Sequence, residues 1–596
     1  MVSPPFCHIS GTLAPGRERG RDVSPWSSSR QPHRLGGSVQ ALVVASMKPF
    51  LSCAVVALVL AGPALAAPPE ASTARLSENI RVLSSDDFAG RGPATPAETK
   101  VVDYIVRQFK AAGLQPGGDL RKGSRAWTQD VPLARFRTTG PVTVKVAAGG
   151  QTQAWTQGDQ IAIRAAQTGV DHLTIANAPV VFVGYGVKAP ERNWDDFKGY
   201  DLHGKVALVL VNDPDFETGE GDFGGKAMTY YGRWTYKYEE AARRGAIGFI
   251  VIHETAPAAY GWNTVKNSNT NEIFDIIRDD PKASHAPLEA WVQREPAVGL
   301  FKAAGLDFDA LKRQAQTRDF RPVELKGVSL SVDYAVDAAK VVTHNVVGVL
   351  PGAKRPAEHL LYTAHWDHLG VGQPDAKGDR IYNGALDNAS GVASLIELAN
   401  AFGHGPRPRR SVVFLSVTAE EKGLLGSEYY ATHPLYPLAT TVADLNMDVM
   451  NANGPARDLA PSGDAPATLQ DDLVRIAARH GLRVDPDPQP EAGHFFRSDH
   501  FPFAKRGVPA LSFGAGDDLV KGGVAAGRAA RAAYTRDRYH QPADEFDPNW
   551  DLSGMVQEFE VFYDLGRSLA DSDEWPAWKT GAEFKAEREK TAAQRR

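Results

Sequence analysis

The sequence predicts an α/β fold: a mostly parallel central sheet with helices on both faces, interrupted by an inserted β/α module. Three observations carry that prediction. From residue 343 onward, short apolar runs alternate with helical patterns, the rhythm of a parallel sheet crossed by helices. Between two of these runs, Leu395, Ile396, Leu398, Ala399 and Phe402 recur at helical spacing. His365, Glu420, Glu421 and Asp448 all fall just past the C-terminal ends of predicted strands, the edge where open α/β sheets bind ligands.

The chain has 596 residues, too many for one core, so two or more domains are expected. Apolar content is 43% and charged content 23%, ordinary for a soluble globular protein. The formal net charge of −5 gives no basic excess for nucleic acid or an anionic membrane surface. Residues 1–46 are rich in Ser, Arg, Gly and Pro without periodicity, and read as an upstream artefact or disordered stretch. Met47, Lys48, the apolar run from Ala54 to Ala61 and Ala64-Leu65-Ala66 read as a signal peptide, 47–66, cleaved after Ala66. Cleavage removes Cys7 and Cys53, the only cysteines, so any metal must be held by N and O ligands. No later stretch reaches the roughly 18 apolar residues of a membrane helix, and a soluble periplasmic or secreted protein is expected.

Residues 75–115 read as helices broken at Gly90-Arg91-Gly92-Pro93, and 125–165 as short strands; together 67–170 form the N-terminal part of the catalytic domain. A compact β/α insert follows at 171–335. It contains strands at Pro179–Val187, Lys205–Val211 and Gly248–His253, with a helix at Tyr238–Ala246 closed by glycine. The catalytic domain, 336–578, has strands at Asn345–Leu350, His359–Ala364, Ser411–Val417, Val442–Met447 and Pro509–Phe513, and a helix from Val392 to Phe402. Residues 579–596 read as a charged, frayed helical tail.

Five separated metal-ligand candidates stand in order: His365, Asp387, Glu421, Asp448 and His540. Two imidazoles with three carboxylates suit divalent metals such as zinc. Two Zn2+ against three carboxylates leave one positive charge, which one bound hydroxide neutralises; this suits two metals sharing a carboxylate and a water. Asp367, two residues after His365, can orient its ring from behind. Asp387 precedes a helix, where Asn388 or Ser390 can cap and free it for metal. Adjacent side chains of Glu420 and Glu421 diverge, so Glu421 is assigned as ligand and Glu420 as general base toward the water. His500 is open between lining the pocket and holding a loop, and His368 is ambiguous. His404, His433, His480 and His494 read as surface residues.

Taken in order, Ala364-His365-Trp366-Asp367-His368, Asp387-Asn388-Ala389-Ser390-Gly391, Glu420-Glu421-Lys422-Gly423-Leu424-Leu425-Gly426-Ser427, Asn446-Met447-Asp448, Ser498-Asp499-His500 and Tyr539-His540-Gln541-Pro542 form a highly specific set. The set resembles the co-catalytic zinc aminopeptidases of metallopeptidase family 28, of the bacterial leucyl aminopeptidase and aminopeptidase Y type. Residues 178–300 resemble the protease-associated domain often inserted in such enzymes. The resemblance implies that one zinc takes His365 and Asp448, the other Glu421 and His540, and that Asp387 bridges them. It also implies that Glu420 is the general base, that Asp367 stands behind the ligand His, and that the Asp387–Asn388 peptide is cis.

By that resemblance the expected activity is an exported aminopeptidase acting on peptide substrates. Carboxypeptidases and other amidohydrolases on the same fold are the alternative, and a non-enzymatic binding protein is a weaker one. The segment between His500 and His540 is longer than the family core requires and is expected to wall or cover the site.

Overall fold

The computed structural model describes residues 71–463 and 466–595. The upstream stretch and the signal peptide expected at 47–66 lie outside the described residues. The described residues form one compact unit.

The strands of the site-bearing half carry apolar runs that are buried along most of their length. Arg410–Val417 and Thr441–Asn446 have no exposed residue, as expected when both faces of a sheet are covered. Arg355–His365 lies at the centre, parallel to Arg410–Val417 on one side and to Thr441–Asn446 on the other. Thr441–Asn446 is in turn parallel to Ala510–Ala515. Helices Gly391–His404 and Ser553–Asp571 pack on these strands. Helices Thr73–Leu83 and Pro96–Ala111, each with a buried apolar stripe at helical spacing, pack against Gly391–His404.

The inserted segment has its own parallel core. His172–Phe182, Val206–Leu210, Gly248–His253 and Leu288–Gln293 pair in that order, and helix Trp234–Arg243 packs against Gly248–His253. One strand links the two halves. Val323–Leu350 pairs antiparallel with His172–Phe182 at its start and with Arg410–Val417 at its end, so a sixteen-stranded sheet runs through both.

Three expectations need correction. The 125–165 region does not hold only short strands: Thr128–Ala148 is a single strand of 21 residues, paired antiparallel along Val323–Leu350. Its exposed positions are polar or small, and they hide its length from apolar-run reading. The strand expected at Pro179–Val187 ends at Phe182, and the chain turns through Gly184 and Gly186, at φ 60° and 62°. A Cβ at Gly184 would sit 2.7 Å from the Phe320 ring, so only glycine passes there. The tail is docked rather than frayed: Arg588 is buried and donates to the carbonyls of Leu438 and Thr441, while Phe584 packs on Trp578.

No helix among the described residues is long and apolar enough to cross a membrane.

Candidate metal centre

His365 is the last residue of its strand and is almost fully buried. Glu420 and Glu421 follow Arg410–Val417 through Ala419 at φ 53°, and Asp448 follows Thr441–Asn446 before Val449 at φ 56°. His540 itself has φ 56°. Left-handed backbone at non-glycine residues is costly, and it gathers here at the turns that aim the site side chains. Asp387 sits in an irregular turn before helix Gly391–His404, and its peptide bond to Asn388 is cis. Asn388 Oδ1 accepts the Gly391 N–H at 2.9 Å, so it serves as the cap and leaves the Asp387 carboxylate free. Gly384, at φ 57°, has no room for a Cβ, which would meet the Asp387 carbonyl at 2.2 Å.

The five candidate ligands converge in two sets that share Asp387. Oδ1 of Asp387 lies 3.4 Å from His365 Nε2, which lies 3.3 Å from Asp448 Oδ1. Oδ2 of Asp387 lies 3.2 Å from His540 Nε2, which lies 3.0 Å from Glu421 Oε2. His365, Asp387 and Asp448 present donor atoms close enough for one cation, and His368, Asp387 and Glu421 do so for another. His368, ambiguous in sequence, therefore stands at the second pole. Its Nδ1 lies 2.6 Å from Glu421 Oε1 but off the line of a hydrogen bond, and both ring nitrogens and Glu421 Oε1 are buried without partners. Orphaned donors of this chemistry, aimed into a common gap, fit a divalent cation.

Glu420 stands at the rim, its Oε2 3.8 Å from His365 Nε2. Behind the cluster, Asp367 is placed differently from expectation. His365 Nδ1 faces the Asp367 main-chain carbonyl at 3.2 Å, whereas the Asp367 carboxylate is 3.8 Å away, too far for a hydrogen bond. That carboxylate instead accepts the main-chain N–H groups of Glu420 and Glu421, at 3.0 and 3.3 Å.

Three residues to which the sequence reading assigned no role complete the frame. Asp544 accepts the Asp387 N–H at 3.1 Å. Ser498 donates to Asp448 Oδ2 at 2.6 Å. Arg91 is 1% exposed and donates to the carbonyls of Leu83, Trp366, Asn383 and Gly384, tying the N-terminal helices to the Asp387 turn. Ser498 stands in the quoted Ser498-Asp499-His500 string and Asp544 four residues after His540, but nothing in the sequence marked Arg91.

The electrostatics follow from crowding. Burial opposes charge on His365, but Glu420 and Asp448, with hydrogen bonds to Asp387 and Asp448, hold its pKa well above the usual imidazole value. His540 is likewise raised to about 9, against burial, by Glu421 and Asp387. Burial favours protonated Asp387, yet hydrogen bonds from His365 and His540 keep its pKa far below the usual carboxylate range. Glu420 goes the other way: burial first, then Glu421, Asp499 and Asp448, push it well up. His500 is fully buried beside Phe495, and burial drives its pKa down to about 3; it is a neutral core residue.

The centre opens into a cavity of about 790 Å³ that Glu420, Asp448 and His540 line together with residues of the inserted segment such as Arg233 and Tyr260. The segment between His500 and His540 forms helix Gly523–Asp537, and its Arg531, Tyr534 and Thr535 wall the cavity.

Fold and donor set together define an α/β protein with a paired His–carboxylate metal centre at its strand ends. Residues 345–561 match the model of peptidase family M28. A probable zinc metalloprotease of Pyrenophora teres f. teres is 35% identical over 113 residues, 19% of this chain and 23% of that protein. A probable glutamate carboxypeptidase of Arthroderma benhamiae is 28% identical over 253 residues, 38% of this chain and 34% of that protein. The chain thus spans well under half the length of these curated relatives. The aminopeptidase from Aneurinibacillus sp. strain AM-1 shares the fold, with a TM-score of 0.50 and 20% identity over 85% of this chain and 96% of that one.

Proposed function

We propose that the protein is an exported two-zinc metalloexopeptidase, an aminopeptidase that releases N-terminal residues from peptides. One observation carries this reading: the two oxygens of Asp387 face two separate imidazoles, at 3.4 and 3.2 Å, each beside its own acidic residue. His365 and Asp448 would hold one ion, and Glu421 and His540 the other, with His368 beside Glu421. When bound, such a pair polarises a scissile carbonyl and lowers the pKa of an attacking water. The chain's own residues do the rest. Glu420, at the rim and raised in pKa, takes the water's proton and delivers it to the leaving amine. Asp367 fixes Glu420 through its main-chain N–H. Ser498 and Asp544 hold Asp448 and Asp387 in place. The walls of the inserted segment, which resembles a protease-associated domain, and of helix Gly523–Asp537 enclose a space suited to a short peptide.

Export rests on the signal-like stretch ending at Ala66, and mass spectrometry of the mature N-terminus tests it. A carboxypeptidase mode on the same centre is the second reading, favoured by the similarity to the probable glutamate carboxypeptidase. Metal analysis of purified protein, coupled to turnover of aminoacyl substrates and their N-blocked forms, separates the readings. Zinc at two per chain with hydrolysis of free-amine substrates is expected. Hydrolysis of blocked substrates alone overturns the aminopeptidase assignment.

A further inference from the structure

Six arginines line the cavity beside the metal centre, and four of them are answered by acids. Arg164 faces Glu289 at 3.5 Å, Arg243 faces Glu240 at 2.7 Å, Arg278 faces Asp275 at 2.5 Å, and Arg531 faces Asp517 at 2.7 Å. Arg233 and Arg497 have no carboxylate partner among the described residues. Arg233 is 8% exposed and its Nε has no hydrogen-bond partner at all. Arg497 donates to the Tyr539 hydroxyl at 2.8 Å and lies over the rings of Tyr260 and Tyr539, contacts that orient a guanidinium without neutralising it.

A buried guanidinium with a second, half-buried one in the same cavity is unfavourable without a counter-ion. The cost shows at Arg233: burial first, then repulsion from Arg497, lower its pKa to about 10, which still leaves it charged at neutral pH. Arg233 comes from the inserted segment and Arg497 from the loop preceding Ser498, whose hydroxyl touches Asp448. The two groups come from different parts of the chain and line the same cavity as Glu420, Asp448 and His540. A carboxylate matches the planar guanidinium fork, accepts two N–H bonds from it, and supplies the missing charge.

We propose that Arg233 and Arg497 form a carboxylate-recognition subsite, which holds an anionic group of a short peptide substrate beside the metal centre. The inference rests on the hydrolytic reading above and narrows it. The enzyme acts on dipeptides or other short peptides that carry a carboxylate within reach of the reacting bond. That carboxylate is either the terminal α-carboxylate or an acidic side chain.

Binding and turnover are measured side by side. Calorimetry uses leucyl-ψ[CH2NH]-glycine, whose reduced linkage is not hydrolysed, and its carboxamide; turnover uses the corresponding true dipeptide and dipeptide amide. A second pair, with a glutamate or glutamine α-amide as the second residue, tests the side-chain source. The wild type is expected to favour the charged member of one pair by about tenfold or more, as for hydrogen bonds to a charged group. Arg233→Ala and Arg497→Ala are expected to collapse that ratio toward one, and Arg497→Lys to restore part of it; thermal melts confirm that each variant is folded. Preference within the first pair assigns the α-carboxylate, and within the second the side chain. Equal affinity for charged and neutral members in the wild type, or a ratio that survives both alanine variants, overturns the subsite. If neither substrate is turned over but the carboxylate still governs binding, the peptidase reading fails and the subsite stands.

Discussion

The carboxylate of Asp367 holds the main-chain N–H of Glu420 at 3.0 Å, so the residue behind one candidate metal ligand also fixes the candidate general base. Its second oxygen takes the N–H of Glu421 at 3.3 Å. Burial pushes the Asp367 pKa up to about 6, against the attraction of His365. Asp367→Asn offers one acceptor oxygen where two are used, and removes a charge that favours His365. Loss of about 10- to 100-fold in metal affinity or kcat is expected, with the melting curve little changed. An asparagine variant with wild-type kcat and metal content would remove Asp367 from the machinery.

Burial first, then neighbouring acids, disfavour charge on Glu420, and it makes no hydrogen bond that holds the carboxyl in a structural role. Its removal therefore leaves the ligand sets intact. Glu420→Ala is expected to retain its metal and lose at least about two orders of magnitude in kcat, the usual contribution of a general base. Metal content and single-turnover rates on the same preparation check this. A variant that loses metal in proportion to activity would make Glu420 a ligand instead.

Most of the sheet and the proposed ligands that follow strands, His365, Glu421 and Asp448, were legible because their signals are local. A strand buried on both faces is an unbroken apolar run, and a ligand at its end is the first polar residue after it, as with Ala364-His365. Thr128–Ala148 escaped because its exposure alternates with small and polar residues, a pattern shared with loops. Arg91 escaped for a different reason. Its donors reach carbonyls of residues 275 to 293 positions away as well as the nearby Leu83, and carbonyls carry no sequence signature. His368 was undecided because spacing from His365 cannot show that its ring turns toward Glu421. The tail read as frayed because its charges are evenly mixed, although Arg588 is held by the carbonyls of Leu438 and Thr441.

In the metal-free protein, His365 and His540 are both held in their charged form at pH 7, the first well above its usual pKa and the second at about 9. A metal ligand must be neutral imidazole, so metal uptake has to displace those protons. Loading at pH 7 is expected to release up to two protons per chain from these rings, and progressively fewer as pH rises through about 9. Calorimetric titration with zinc in buffers of different ionisation enthalpy counts them. Uptake without proton release at pH 7 would show that the imidazoles are already neutral.

His285 lies in the inserted segment between two acids, with Nε2 3.0 Å from Asp275 Oδ2 and Nδ1 3.0 Å from Glu289 Oε1. Burial opposes its charge, but Glu289 and Asp275 raise its pKa to about 9. The sign of the linkage follows. A folded-state pKa above the unfolded value near 6.5 stabilises the fold fully below pH 6.5, and the contribution is lost as pH climbs through about 9. The shift corresponds to a contribution on the order of a few kcal/mol. His344 and His480 are also raised, so the pH dependence of the wild type alone does not isolate this group. The difference from His285→Gln does, because the variant keeps every other titrating residue. The melting temperature of the wild type is expected to exceed that of the variant most at pH 6, with the gap closing between pH 6.5 and 10. A gap that stays constant across that range would mean that His285 acts by packing rather than by charge.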